Sequence, residues 1–350
     1  MGFTLIELMV ALAIGGFVVA ALYQLFRAQM AQFVYQDLQM EMHQNARLAA
    51  DILTRSARMA GLGSASGATV GVLGNGGDMQ EPLSSVIFRD NIGDNGSDVV
   101  TFVSMDPSLL VNTYAPAPPA CSAQTLSFST TALHNGARLA QYRNDELVMC
   151  YDPASIGGYV SYIWRLTGDG DPATGTLEVE DNSVYADFQT VCSGTGNLPL
   201  IMMCSRAEVA TFYIDAVDDG MGPGTPARPV LMMDLDFEAP DDDDVPVVDN
   251  VEDLQVAFCL QKNTALGLST CNRDTDWVQD INASEVRDIY MVRISVVVRS
   301  GREDLVRTRT SVRPALEDNP ASPDPDYYFR QVVSTEVTVR NLRMQAELYP

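Results

Sequence analysis

Two hydrophobic patterns divide the chain. From Phe3 to Tyr23 nearly every position is apolar, FTLIELMVALAIGGFVVAALY. At helical rise that run reaches about 32 Å, enough to cross the hydrocarbon core of a bilayer. Beyond Tyr23 the spacing of apolar residues changes. Val34, Leu38, Met42, Ala46, Ala49, Leu53 and Ala57 recur every three or four positions, with Gln, Asp, Arg and Glu between them. That is the pattern of a helix with one apolar face. No proline occurs before Pro82, and Gly61 and Gly63 stand where the stripe ends, as C-terminal capping residues do. The two patterns predict one helix of about 85 Å if straight. Residues 3–24 would be its membrane-spanning half and 25–61 its amphipathic half, with residues 1–2 ahead of it.

From residue 64 short β-branched and aromatic runs alternate with clusters of Gly, Asn, Asp and Pro. Such runs predict strands at 85–89, 98–104, 146–151, 159–166, 176–180, 208–214, 230–237, 254–260, 289–299 and 330–340. Ile289-Tyr290-Met291-Val292-Arg293-Ile294-Ser295-Val296 has the character of a central strand. Residues 106–121 (four prolines), 218–229 and 239–246 read as loops. Loops of that length on a β scaffold carry contacts to partners or are solvated insertions. The expected fold class is therefore α+β: a long N-terminal helix packed on an antiparallel, β-rich head spanning 62–350, with room for two subdomains.

Charge and cysteine content refine this picture. The net charge is −24. Residues 1–60 hold four Arg and four acids, so the whole excess lies in the head. A strongly acidic head stays soluble and does not wrap nucleic acid. All six cysteines, Cys121, Cys150, Cys192, Cys204, Cys259 and Cys271, lie in the head. An even number behind an export-type segment suggests disulfides made in an oxidising compartment. Sequential pairing, 121–150, 192–204 and 259–271, is the expected connectivity, the last two closing short loops of similar length. A zinc site is disfavoured by the absence of C-x-x-C and by the presence of only two histidines, His43 and His134.

No G-x-S-x-G, P-loop or H-E-x-x-H motif is present, and two histidines leave little for general-base work. No enzyme is expected on these residues. Calcium is the one cofactor the loops admit. Asp169 and Asp171 alternate in a glycine loop, and Asp241, Asp242, Asp243 and Asp244 follow one another. Hard cations take six to eight oxygen ligands, and the first loop lacks the spacing and closing Glu of a helix–loop–helix calcium site. A polar turn and a solvated acidic loop account for the same residues, since charge runs are usually solvated.

One charge interrupts the apolar run, Glu7, and basic residues begin only at Arg27. A carboxylate at membrane depth costs about 2.5 kcal/mol or more. A secretory signal peptide would need a basic start and a shorter apolar run. A plain anchor explains the length but not the Glu. The opening Gly2-Phe3-Thr4-Leu5-Ile6-Glu7-Leu8 resembles the N-terminus of type IV pilins and type II secretion pseudopilins, the prepilin or class III signal. The resemblance implies cleavage after Gly2 by prepilin peptidase, which leaves residues 1–2 as a leader remnant, and methylation of the new terminus Phe3. It also implies that Glu7 pairs with the Phe3 amine of a neighbouring subunit during assembly, supplying the partner a desolvated charge needs.

Further along, Asn45 to Gly63 (NARLAADILTRSARMAGLG) resembles the end of the helix in the PilW family of minor pilins, closing on Arg58-Met59-Ala60-Gly61. Asn95-Gly96-Ser97-Asp98, Val251-Glu252-Asp253-Leu254-Gln255-Val256 and Val339-Arg340-Asn341-Leu342 are similar to the same family. This resemblance implies a minor pilin that helps prime pilus assembly at or near the tip. Its partners would be other minor and major pilins, prepilin peptidase and the inner-membrane assembly platform. The chain would sit first in the inner membrane, single-pass with its head in the periplasm, and then in a pilus at the cell surface. A J-type pseudopilin of type II secretion has a similar helix and head. A tip adhesin or calcium-dependent binding head on the same anchor is a further alternative.

Overall fold

The computed structural model describes residues 5–62, 70–73, 85–112, 121–122, 125–128, 135–151, 161–179, 203–217, 227–235, 244–261, 263–264, 267–268, 271–273, 275–281, 283–304 and 310–339. The chain opens with α1 (Leu5–Met59), one uninterrupted helix of 55 residues. Strands β1 (Val70–Leu73), β2 (Val86–Arg89), β3 (Val99–Met105), β4 (Val111–Asn112), β5 (Cys121–Ser122) and β6 (Thr125–Ser127) lead to the short helix α2 (Asn135–Leu139). Next come β7 (Leu147–Tyr151), β8 (Ser161–Arg165), β9 (Thr176–Glu178), β10 (Met203–Val217), β11 (Arg228–Asp234) and β12 (Val245–Asp249). The C-terminal part holds β13 (Val251–Leu260), β14 (Asn263–Thr264), β15 (Gly267–Leu268), β16 (Trp277–Val278), β17 (Ile289–Arg299) and β18 (Arg330–Thr338).

Two sheets dominate. A nine-stranded sheet runs β1-β8-β7-β10-β11-β12, with β2, β3 and β4 joined to it through β3 and β10. A four-stranded sheet runs β16-β13-β17-β18. Among the described strands only β1 and β8 pair in parallel; the others are antiparallel, as expected. The run at 289–299 forms β17, an interior strand bonded on both sides. The 15-residue β10 is the spine of the larger sheet. Its residues 203–206 pair with β7, 207–212 with β3, and 211–217 with β11. Sequence alone located only the middle of this strand. Short features lie within the expected loops: a 3-10 turn at Pro107–Leu109 and β4 fall inside 106–121, β11 starts at Arg228 inside 218–229, and β12 starts at Val245 inside 239–246.

The apolar stripe of α1 welds the two sheets together. Leu38, Met42, Ala46, Ala49, Leu53 and Ala57 are buried, as their spacing predicts, while Val34 is half-buried at the rim. Met42, Ala46, Ala49, Leu53 and Ala57 share a core with Phe102 and Phe212 of the large sheet and with Leu254, Val256, Ile294 and Val296 of the four-stranded sheet. Helix and chain part at Gly61, whose φ of +76° suits a residue without Cβ. The Gly61 amide donates to the Val103 carbonyl (2.9 Å), and Met105 N donates to Leu62 O (2.9 Å), so the segment leaving the helix docks on β3. A second core lies under β7, β8 and β10, built around Trp164, Tyr142, Leu126 and Leu177.

The outer face of the four-stranded sheet is polar yet buried. Asp253, Gln255 and Ser295 are fully buried on β13 and β17. Residues 311–329, between β17 and β18, form a strap across them. Arg313 donates to the Asp253 carboxylate, and Asn319 Nδ2 donates to the same group at 3.0 Å. Arg293 forks onto Glu317 at 2.8 and 2.6 Å. Arg330 forks onto Glu252 at 2.6 and 2.8 Å and also reaches Asp326. Two-pronged, charge-assisted bonds of this kind fix geometry as well as adding energy.

Candidate assembly surface on the N-terminal helix

The two halves of α1 have opposite surroundings. From Leu5 to Phe33 its large apolar side chains are exposed, Leu5 at 74% and Phe17 at 77%. At 1.5 Å per residue this bare half extends about 44 Å. It is long and apolar enough to cross a membrane, and none of its most apolar window is covered by the other described residues. A contiguous apolar surface of that extent marks contact with lipid or other protein. A Cβ built at Gly15 or Gly16 would meet nothing within 4 Å. Nothing among the described residues packs on these two small positions, so they are open to close approach by another helix.

Glu7 sits in the first turn of α1 and is exposed. A carboxylate there is favoured by the positive end of the helix dipole. Gly2 and Phe3, expected to be the cleavage and methylation positions, lie outside the described residues.

The helix enters the head through polar and aromatic contacts. Tyr35 packs edge-on against Phe329 with centroids 5.1 Å apart. Asp37 faces Arg302 at 3.7 Å, Glu41 accepts from Asn250 Nδ2 at 3.2 Å, and Asn45 donates to the Asp249 carbonyl at 3.0 Å. Exposed ion pairs such as Asp37–Arg302 add little energy. Their role is orientation, because the apolar stripe beginning at Leu38 supplies the grip.

Four candidate groups in the head fall into place differently. Cys150 and Cys204 form a disulfide between β7 and β10, where they face each other in register. Cys259 and Cys271 form the second, across 12 positions, as sequential pairing predicts. The expected bonds 121–150 and 192–204 are thereby overturned. Strand register brings together cysteines 54 positions apart and outweighs nearness in sequence. Cys121 begins β5, and Cys192 lies outside the described residues.

Asp169 and Asp171, read as calcium candidates, cap turns. Asp169 accepts from Asn144 N at 3.0 Å and faces Arg143. Asp171 accepts from Ala173 N and Thr174 Oγ1, both at 2.7 Å, and these hydrogen bonds, Thr174 first, hold its carboxyl below the usual range. The glycine between them is needed for packing, since a Cβ at Gly170 would sit 2.1 Å from the Leu139 carbonyl oxygen. Asp244 accepts from the Tyr213 hydroxyl. Burial, and then this bond to Asp244, push the Tyr213 pKa up. Asp241, Asp242 and Asp243 lie outside the described residues. Among the described residues no three His, Cys, Asp or Glu side chains gather as a metal set.

Comparison with known families agrees with this geometry. Residues 2–23 match the prokaryotic N-terminal methylation motif. A prepilin-type N-terminus on a long apolar helix, joined to an antiparallel head, defines the class of type IV pilin-like proteins. Within that class, residues 211–341 are similar to the family of type IV pilus-assembly protein W, and together the two matches support a minor pilin of the type IV pilus that is processed by prepilin peptidase. The matched region runs from within β10 through β18 and so includes the sheet that grips α1 and its strap. No curated protein and no solved structure matches the chain. These matches indicate a structural pilus component that is anchored in a membrane and assembles with other pilus components.

Proposed function

We propose that this chain helps prime type IV pilus assembly and occupies a position at or near the tip. In this reading it waits in the inner membrane with its head in the periplasm, then passes through the assembly platform among other minor and major pilins to the cell surface. The observation that carries the reading is the division of α1. One half is consumed by its own head, and the other presents about 44 Å of bare apolar helix ending in a single carboxylate. Lipid satisfies the apolar side chains, but a carboxylate at that depth is costly. In a filament core the Phe3 amine of a neighbouring subunit provides Glu7 with an opposite charge, as the prepilin motif implies.

Glu7→Ala separates anchoring from assembly. It leaves membrane insertion intact or improved, because a costly carboxylate is gone, and it lowers incorporation into filaments. Membrane and sheared-pilus fractions measured side by side report both effects. Equal incorporation of the variant and wild type returns the segment to simple anchoring.

A further inference from the structure

Strand pairing in the large sheet is interrupted beside β10. On one side of this strand β3 pairs without a break from Ala207 to Phe212. On the other side the register of β7 stops at Val148 opposite Arg206, and that of β11 at Asp234 opposite Thr211. Among the described residues no strand pairs with Glu208, Val209 and Ala210 on that side. The Arg206 carbonyl accepts from Asp106 N (2.9 Å), on the β3 side. Backbone groups alternate in direction along a strand, so Val209 turns its N–H and C=O away from β3 and into the interruption. A recess of about 540 Å³ stands at the same place, lined by Leu147, Arg206, Glu208, Val209, Ala210 and Leu235. The two faces of β10 differ there. Val209 is buried and shares a core with Val103, Leu147 and Ile163, whereas Glu208 is exposed. Asp145, also exposed, completes the lip of the recess.

A main-chain edge in a recess is completed by another main chain, which supplies the matching donors and acceptors. We propose that this interruption is a docking slot for a short extended segment of a partner polypeptide, which joins the sheet in line with β7 and β11 and antiparallel to β10. Its residues stand opposite Ala210, Val209 and Glu208 in turn. The middle one exchanges both main-chain bonds with Val209. Its side chain points to the same face as that of Val209, onto the buried core, and so is apolar. The next residue points outward beside Glu208 and is basic. Charge selects it. The Arg206 guanidinium is engaged by Asp106 at 2.9 Å and Glu146 at 3.3 Å, and Glu208 makes no ion pair among the described residues. An opposite charge directly across a strand pair is favourable, and a like charge is not. The net charge of −24 also draws a cationic segment toward the head. The recognised pattern is therefore an apolar residue followed by Lys or Arg.

The test uses the full chain in detergent micelles and two synthetic peptides, Gly-Ser-Val-Lys-Ser-Gly and Gly-Ser-Val-Glu-Ser-Gly, at millimolar concentration. The lysine peptide slows amide hydrogen exchange at Val209 and leaves Val296, inside the other sheet, unchanged. It binds about fivefold more tightly than the glutamate peptide, as read by anisotropy of a fluorescent label on each. Glu208→Lys, at an exposed position, inverts that preference. Four results overturn the proposal. Slow exchange at Val209 in the free chain means that the chain's own residues fill the slot. Self-association in sedimentation that the lysine peptide reverses assigns the slot to a second copy. A Val209 amide that neither peptide protects leaves no docking segment, and a preference that Glu208→Lys does not alter removes the charge selection.

Discussion

Arg313→Met removes the guanidinium that Asp253 accepts from beneath the strap. Asp253 is 0% exposed and Arg313 9% exposed at the side chain, so water does not replace the lost partner. Breaking a buried pair from one side costs about 3–5 kcal/mol, or about a hundred- to several-thousand-fold in the unfolding constant. The remaining donors are Gln255 Nε2 at 3.1 Å and Asn319 Nδ2 at 3.0 Å. Even with Arg313 present, burial outweighs the hydrogen bonds and the opposite charge and holds the Asp253 carboxyl above its ordinary 3.8. Without Arg313 it moves further up. A raised folded pKa gives stability that is present at low pH and lost as pH rises, so the deficit of the variant is larger at pH 8 than at pH 5. The double variant Asp253→Asn/Arg313→Met removes both charges of this pair and recovers most of the loss, because replacing both partners is often close to neutral. Urea titration of the full chain in micelles, followed by circular dichroism, measures all three chains. A single-variant deficit below about 1 kcal/mol at pH 8 would falsify the argument, because it would place the pair outside the buried class.

The two halves of α1 respond differently to truncation. Leu53→Ala, at a fully buried position, lowers head stability by about 2–5 kcal/mol, whereas Phe17→Ala leaves it within about 0.5 kcal/mol in the same urea assay. Equal effects would contradict the assignment of the helix faces. Peptide mapping without reduction recovers Cys150 linked to Cys204 and Cys259 linked to Cys271, and a 192–204 link would refute the register of β7 against β10. Cys204→Ser costs about 2–5 kcal/mol of head stability by urea titration.

Sequence was most informative where one physical demand governed a segment. The stripe of α1 was legible because a single face meets the head, and β17 because apolar and β-branched residues dominate it. Legibility failed where charge is buried. Glu252 and Asp253 sit inside β13, although carboxylates disfavour strands, because Arg330 and Arg313 reach them from residues 60–78 positions away. The same holds for the start of β10, where Arg206 is paired with Asp106 at 2.9 Å and Glu146 at 3.3 Å. Such partners carry no local periodicity, so the strap left no signal in the sequence. Pro246 and the neighbouring acids gave β12 the look of a loop. It stands at the end of the strand order, where a missing amide donor is tolerated. At the assembly surface Glu7 was readable because a charge in an apolar run is costly in itself. The cross-strand disulfide was not, because register is a property of the folded sheet.

The arrangement of core contacts also sets an order of events during synthesis. Asn45 and the Asp249 carbonyl it binds lie 204 positions apart, and the sheet that covers the stripe is made last. At about 5–20 residues per second, the amphipathic half of α1 waits roughly 10–40 seconds for its cover. Collapse of an apolar segment onto a wrong neighbour takes microseconds. Three of the seven buried positions on the stripe are alanine, and a fourth is Thr54. Small side chains offer little for a wrong partner to hold during the wait. Once the strands arrive, the same side chains let the helix axis come close to the sheet. The stripe is thus weakly adhesive while the chain is incomplete and closely packed once it is whole.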